Sequence, residues 1–462
     1  MTPQPIADYM ASLFAHWPQE VRLLDPGAGI GSLTDAFSER FLQQTPPGGS
    51  ISVDCYEIES RLVPYLRKHL EHIRLRISHH CHKFNAHVHQ RDFIEEAAFL
   101  VPMGGQRYTH AILNPPYKKI NSSSTHRKML RAAGIETVNL YTAFLGLTIA
   151  LLEMGGEIVA IVPRSFCNGT YFRPFRRFLL KQTALTHIHI FESRSRAFKD
   201  DDVLQENIIL RLVRGALQGK VVVSRSHDAQ FADYQESPTA FDDIVKPGDN
   251  EQFIHVPITV STNQSKALFT HSLGDLRLEV STGPVVDFRL KDHLLREPEP
   301  NCVPLLYAHH FRGGRLAWPK AHKKPNALRL CDDTRKWLLP KGCYIITKRF
   351  TAKEERRRLV AYVVNPNHFS SKYYGFENHL NVFHAGKHGL SIELARGLAL
   401  FLNSTAADEY FRSFSGHTQV NATDLRAMRY PSLKILRRLG RLRIASKQAE
   451  QTAIDSAVQA FP

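Results

Sequence analysis

The sequence predicts an α/β fold built on a doubly wound, mostly parallel sheet, followed by a second domain of mixed α+β character. Three observations predict it. Short apolar runs alternate with helically spaced segments through the first half, a glycine-rich turn follows the first apolar run, and the alternation stops near residue 215. With 462 residues the chain is long enough for two domains of ordinary size.

In order, residues 21–25 read as a strand, 33–43 as a helix, 51–57 as a second strand and 62–70 as a second helix. Residues 86–92 read as the third strand and 110–113 as the fourth. Residues 140–154 carry helical spacing that ends at Gly155-Gly156 and passes into a strand over 157–163. A helix over 172–181 and strands over 188–191 and 207–213 complete this half. Residues 226–252 are rich in Asp, Glu, Gln, Ser and Pro, the composition of an exposed connector. Short β-like runs follow at 304–306, 342–347 and 359–364, then helical patterns at 391–404 and in the last 30 residues. The reading is a first domain over 1–240 and a second over 241–462, without internal repeats.

Hydrophobic residues make up 43% and charged residues 23%, a globular composition. The net charge of +16 favours a polyanionic partner, DNA, RNA or an anionic membrane. No basic leader or apolar h-region opens the sequence, and residues 141–154, the longest apolar stretch, fall short of a membrane span. A cytoplasmic protein without a membrane partner is expected. The six cysteines form no CxxC pair, which fits reduced thiols. His79-His80-Cys81-His82, His87 and His89 match no standard zinc spacing, so a solvated basic connector, and no metal, is expected there.

Leu23-Leu24-Asp25-Pro26-Gly27-Ala28-Gly29-Ile30-Gly31 lies between the first strand and the first helix. Gly27 and Gly29 allow positive φ and a close ligand approach, and the helix start offers free N–H groups. Asp25, two positions before the first glycine, would repel a pyrophosphate and suits an ammonium group. Glu57, ahead of Ile58 at the end of the second strand, can accept from both hydroxyls of a ribose. Asp92-Phe93 ends the third strand, offering an acceptor for an adenine amino group and a ring for its face. One such acid alone is an ordinary loop carboxylate. Three at strand ends beside a glycine turn outline one nucleoside crevice.

Asn114-Pro115-Pro116-Tyr117 follows the fourth strand. The prolines fix φ and remove two donors, so the Asn114 side-chain oxygen and the Pro115 carbonyl can both accept. Two acceptors on an exocyclic amine draw its nitrogen toward tetrahedral geometry and make it nucleophilic. Tyr117 offers a stacking face worth roughly 1–3 kcal/mol per base.

With these motifs the chain resembles the amino-group DNA methyltransferases of type II restriction–modification systems, adenine-N6 type, in the gamma order of motifs. The resemblance implies a Rossmann-like S-adenosylmethionine-dependent domain and a C-terminal target-recognition domain. It assigns Asp25, Gly27 and Gly29 to the cofactor loop, Glu57 and Ile58 to the ribose end, Asp92 and Phe93 to the cofactor adenine, and Thr2 to the methionine end. Asn114, Pro115 and Tyr117 become the catalytic tetrapeptide, and Phe198 the second wall against a flipped adenine. Leu204-Gln205-Glu206-Asn207-Ile208, the segment Ser281 to Phe288, Glu377-Asn378-His379-Leu380-Asn381 and Thr418-Gln419-Val420-Asn421 resemble the PstI-type and Eco57I-type branch. The implied partners are double-stranded DNA and a separate cognate endonuclease.

Alternatives differ at single residues. Cytosine-C5 chemistry needs a Pro-Cys nucleophile, which the sequence lacks. Cytosine-N4 enzymes usually carry Ser where Asn114 stands. Glutamine methyltransferases share the tetrapeptide but are usually shorter and lack a large basic second domain, and a ribosomal RNA methyltransferase would also be basic. A DNA binder without activity would not need the strand-end acids. Arg356-Arg357-Arg358 and Lys434, Arg437, Arg438, Arg441, Arg443 and Lys447 are candidate phosphate contacts.

Overall fold

The computed structural model describes residues 2–105, 107–191, 207–256, 268–350, 357–415, 419–442 and 451–460. The chain divides into two compact units, Met1–Ile258 and Thr259–Pro462.

The first unit begins with α1 (Gln4–Ser12) and then alternates: β1 (Glu20–Pro26), α2 (Ser32–Gln44), β2 (Ser50–Tyr56), α3 (Val63–His79), β3 (Lys83–His89), α4 (Phe93–Leu100), β4 (Tyr108–Leu113). α5 (Thr125–Ala132), α6 (Leu140–Leu151), β5 (Leu152–Pro163), α7 (Arg173–Gln182), β6 (Thr183–Phe191), β7 (Asn207–Arg214), β8 (Val221–Ser226) and β9 (Gln235–Thr239) follow. The strands form one sheet in the order β3-β2-β1-β4-β5-β7-β6-β8-β9. β1 to β5 are parallel, and β7 runs antiparallel between β5 and β6. This 3-2-1-4-5-7-6 core is the class I methyltransferase topology.

Period-2 alternation explains why helices cover both faces. Leu23, Ile112, Val159 and Ile161 join one core with α1, α2 and α3, while Leu24, Ala111, Leu113, Ile158 and Ala160 join the other with α4, α6 and α7. The chain steps outward from β1 to β3 and returns at β4. The carboxyl ends of β1 and β4 therefore flank a switch point, the crevice where open α/β sheets bind ligands.

Two expected element bounds are corrected. The third strand is Lys83–His89 rather than residues 86–92, because Asp92 is the N-cap of α4 and accepts from Ile94 N at 2.8 Å and Glu95 N at 3.4 Å. α6 ends at Leu151, and Gly155-Gly156 lies inside β5, where the register against β4 shifts as in a bulge.

The connector stays largely exposed, but it is more regular than its composition suggests. Residues 235–239 form the edge strand β9, paired antiparallel with β8. Beyond it, the fully buried Arg176 guanidinium donates to Glu251 O at 2.8 and 3.0 Å and to Phe166 O and Gly169 O at 2.9 and 2.6 Å. Ile254 N donates to Cys167 O at 2.9 Å. These bonds fasten the segment to the first unit, so the division falls after Ile258 and not at 240.

The histidine-rich stretch is not a uniform solvated connector. His82 is buried, accepting from Gly49 N at 3.1 Å, and His89 stacks on Tyr56 and bonds Asp54 at 2.7 Å.

The second unit holds a four-stranded antiparallel sheet, in the order Glu279–Thr282, Leu380–His384, Tyr344–Lys348, Ala361–Val364. A five-stranded sheet of short segments is centred on Cys302–Leu306. Helices Ile392–Leu402 and Leu433–Arg441 cross at two glycines: a Cβ on Gly397 would meet Leu436 O at 1.7 Å, and one on Gly440 would meet Glu393 O at 1.7 Å. Among the described residues no helix is long and apolar enough to cross a membrane.

Candidate active site

The glycine turn after β1 is tied to the end of β2. Gly27 N and Ala28 N both donate to Tyr56 O at 2.9 Å, and Gly29 N donates to Glu57 Oε2 at 2.8 Å. Gly29 has φ +59, and a Cβ there would meet nothing within 4 Å, so this stretch of backbone faces open space. Glu57 Oε1 accepts from Glu59 N at 2.8 Å. Two backbone donors thus hold the Glu57 carboxylate in place while lone pairs remain for further donors.

Together these elements border a cavity of about 640 Å³, within the range of small-molecule sites. Gly27, Glu57, Ile58, Asp92, Phe93, Asn114, Pro115 and Tyr117 all line it, as the sequence predicts. Phe144 lines it too and was not foreseen. Its signal was its place on the otherwise apolar α6, which does not distinguish a cavity-facing ring from a core one. Phe93 is buried between Tyr56 and Phe144, with ring centroids 5.1 and 5.0 Å away. Ile58, 66% exposed, brings an apolar side chain to the rim. A carboxylate fixed for vicinal hydroxyls, an aromatic floor and open glycine backbone fit a nucleoside, and hence the S-adenosylmethionine that the resemblance implies.

Two of the acids have further partners or deeper burial. Asp25 is fully buried and does not border the cavity. Its Oδ2 accepts from Thr34 Oγ1 at 2.7 Å, while its Oδ1 is buried without a partner. Burial pushes its carboxyl up to about 7, with the Glu57 charge adding to the rise against the Thr34 bond. Asp92 reaches the cavity, but Oδ1 caps α4 and Oδ2 stands 3.1 Å from His126 Nε2.

At the end of β4, Asn114 sits in a chain of hydrogen bonds. Its Nδ2 donates to Thr2 Oγ1 at 3.1 Å, and its Oδ1 accepts from Tyr117 OH at 2.9 Å. Thr2 is thus brought to the Asn114–Tyr117 tetrapeptide. The Tyr117 ring meets Tyr141 edge-on with centroids 6.2 Å apart, and Tyr141 OH bonds Ser165 Oγ at 2.9 Å. Phe198 lies outside the described residues.

In the second unit, two of the candidate phosphate contacts are committed elsewhere. Arg358 is buried over the Phe411 ring, and Arg357 donates to the carbonyls of Asn403 and Ser404. Arg356, Arg443 and Lys447 lie outside the described residues. Lys434, Arg437 and Arg438 stay exposed on their helix, and Arg441 pairs with Glu393 at 3.4 Å.

The Eco57I restriction-modification methylase family matches residues 51–198. The type II methyltransferase M.BsuBI of Bacillus subtilis is 48% identical over 99% of this chain and 92% of its own length. The type II methyltransferase M.PstI of Providencia stuartii is 43% identical over 99% of this chain and 91% of its own. Among solved structures, the methyltransferase subunit of a type I restriction-modification system from Streptococcus thermophilus is 18% identical, covering 55% of this chain and 50% of that chain with a TM-score of 0.39.

Proposed function

We propose the reaction from one premise: the chain belongs to the type II methyltransferases of restriction–modification systems. It is a DNA methyltransferase, and the base and atom it modifies are our reading. That reading is methylation of the N6 amino group of adenine within a specific duplex sequence, protecting it from a separate cognate endonuclease. The observation that carries it is Asn114-Pro115-Pro116-Tyr117 in the lining of the same cavity as Glu57 and Phe93.

S-adenosylmethionine, when bound, supplies an electrophilic methyl group. The chain does the rest. Glu57 accepts from the ribose hydroxyls, and Phe93, Ile58 and Phe144 enclose the cofactor base. Asn114 Oδ1 and the Pro115 carbonyl accept from the two hydrogens of the target amine. The nitrogen lone pair is thereby withdrawn from the ring and available for attack. The prolines fix the backbone that carries both acceptors, which places stabilisation where charge develops. The target adenine must leave the duplex stack, at a cost of a few kcal/mol, and Tyr117 offers it a new stacking face. Phe198 is our candidate for the opposite face. The first unit is the catalytic domain and the second the recognition domain.

Long-read methylation profiling of DNA from cells expressing the chain tests this reading. N6-methyladenine in one sequence context, absent with Asn114→Ala, is expected. N4-methylcytosine, or no mark on DNA, overturns it.

A further inference from the structure

Parts of three branch motifs, Ser281 to Phe288, Glu377 to Asn381 and Gln419 to Asn421, meet on one rim of the second unit. Glu279–Thr282 leads into 283–288, Tyr344–Lys348 into Arg349-Phe350, and the strand Tyr373–Phe376 into Glu377-Asn378-His379. Val285 bridges Glu377, with Val285 N donating to Phe376 O and Asn378 N to Val285 O, both at 3.0 Å. Gly283 permits this approach, since a Cβ there would lie 2.2 Å from Glu377 O. Arg349 ties two further loops together, donating to Asn378 O at 2.9 Å and to Gln419 Oε1 at 3.2 Å.

On this rigid base stands an oriented imidazole. Glu377 is 1% exposed, and its two carboxylate oxygens accept from His379 Nδ1 and, at 3.0 Å, from His379 N. A carboxylate only accepts, so Nδ1 carries a proton and the ring is fixed in tautomer and direction. The same arrangement orients histidines at metal sites. Nε2 lies across the ring from Glu377, and the His379 side chain is 47% exposed. The Phe350 ring is 5.1 Å away and 55% exposed, an unusual place for a phenylalanine.

A buried acid that holds an exposed imidazole beside an exposed ring contributes little to a core. We propose that His379 and Phe350 form a base-reading element: His379 Nε2 hydrogen-bonds a base edge of the duplex target while the Phe350 ring lies against a base. Duplex DNA is favoured as the occupant by the net charge of +16, and it follows from the function proposed above, on which this inference rests. A base edge is favoured over a phosphate because an aromatic ring complements a base and gains nothing from a phosphate.

The test profiles the sequence context of methylation for the full chain and for His379→Ala, His379→Gln and Phe350→Ala, with salt-dependent DNA binding alongside. His379→Gln keeps a side-chain donor for the buried Glu377 and Phe350 is exposed, so melting temperatures should stay unchanged for these two variants, whereas His379→Ala leaves Glu377 one donor short. The expected result is about tenfold weaker discrimination at one base pair for the His379 variants, with other positions retained. Uniformly weaker binding with a shallower salt dependence would mean a phosphate contact and overturn the assignment. An unchanged context and affinity would overturn it too. If the parent chain leaves no N6-methyladenine, the function proposed above fails. If the parent methylates adenine and the variants match it, only the base-reading element fails.

Discussion

The hydroxyl of Tyr117 donates to Asn114 Oδ1 at 2.9 Å, the same oxygen that the proposed reaction needs as an acceptor for the target amine. A base entering the cavity therefore displaces a hydroxyl from its acceptor. Tyr117→Phe keeps the stacking ring and removes that competitor. It should lower the KM for DNA severalfold and leave kcat within about threefold of the parent, since one neutral hydrogen bond contributes about 1 kcal/mol. Steady-state kinetics on a cognate duplex decide it, and a large fall in kcat would make the hydroxyl part of the chemistry.

On the far side of the same amide, Asn114 Nδ2 donates to Thr2 Oγ1 at 3.1 Å. With Oδ1 turned to the base, Nδ2 needs an acceptor behind it. Thr2→Val should lower kcat about tenfold at saturating cofactor, and Thr2→Ser should restore it. A change confined to the cofactor dissociation constant would instead assign Thr2 to the methionine end alone.

Glu57 is held by Gly29 N and Glu59 N at 2.8 Å each. Glu57→Ala removes the acceptor for two hydroxyls and loosens the glycine turn. Cofactor binding should weaken by about 1–3 kcal/mol in calorimetry. An unchanged dissociation constant would remove Glu57 from the site.

Asp25 titrates near 7 in the folded chain because it is buried, against about 3.9 in an unfolded one. Between those values the folded state holds a proton that the unfolded state has released. Stability therefore falls as pH rises through this window, by up to about 1.4 kcal/mol per pH unit. Asp25→Asn has no charge to bury, so it should melt higher than the parent at pH 8, with the difference gone near pH 4. Equal melting at both values would show that Asp25 ionises at no cost.

Gly397 and Gly440 let two helices of the second unit touch backbone to backbone. Gly397→Ala places a methyl 1.7 Å from Leu436 O and should cost about 1–3 kcal/mol by overpacking. Denaturant unfolding followed by a probe in this unit measures it, and an unchanged midpoint would mean that the crossing is looser than its geometry.

Local requirements fixed much of this protein in its sequence. A turn with positive φ needs glycine, so the turn after β1 was legible at Gly27 and Gly29. Paired acceptors without donors need prolines, so the cavity-lining tetrapeptide was legible at Asn114 to Tyr117. The strand–helix rhythm gave β1, β2 and β4 with their neighbours, because period 2 and period 3.6 are written in consecutive residues. Pairing and burial are long-range, and only the tertiary structure decided them. An acid near the end of a strand looks the same in sequence whether it faces a cavity, like Glu57, faces it while capping a helix, like Asp92, or is sealed under a turn, like Asp25. Gln235–Thr239 reads as a polar connector because an edge strand needs no apolar alternation, only a partner, which β8 supplies. His379 and Phe350 stand 29 positions apart, and only the pairing of Tyr344–Lys348 with Leu380–His384 brings their rings together.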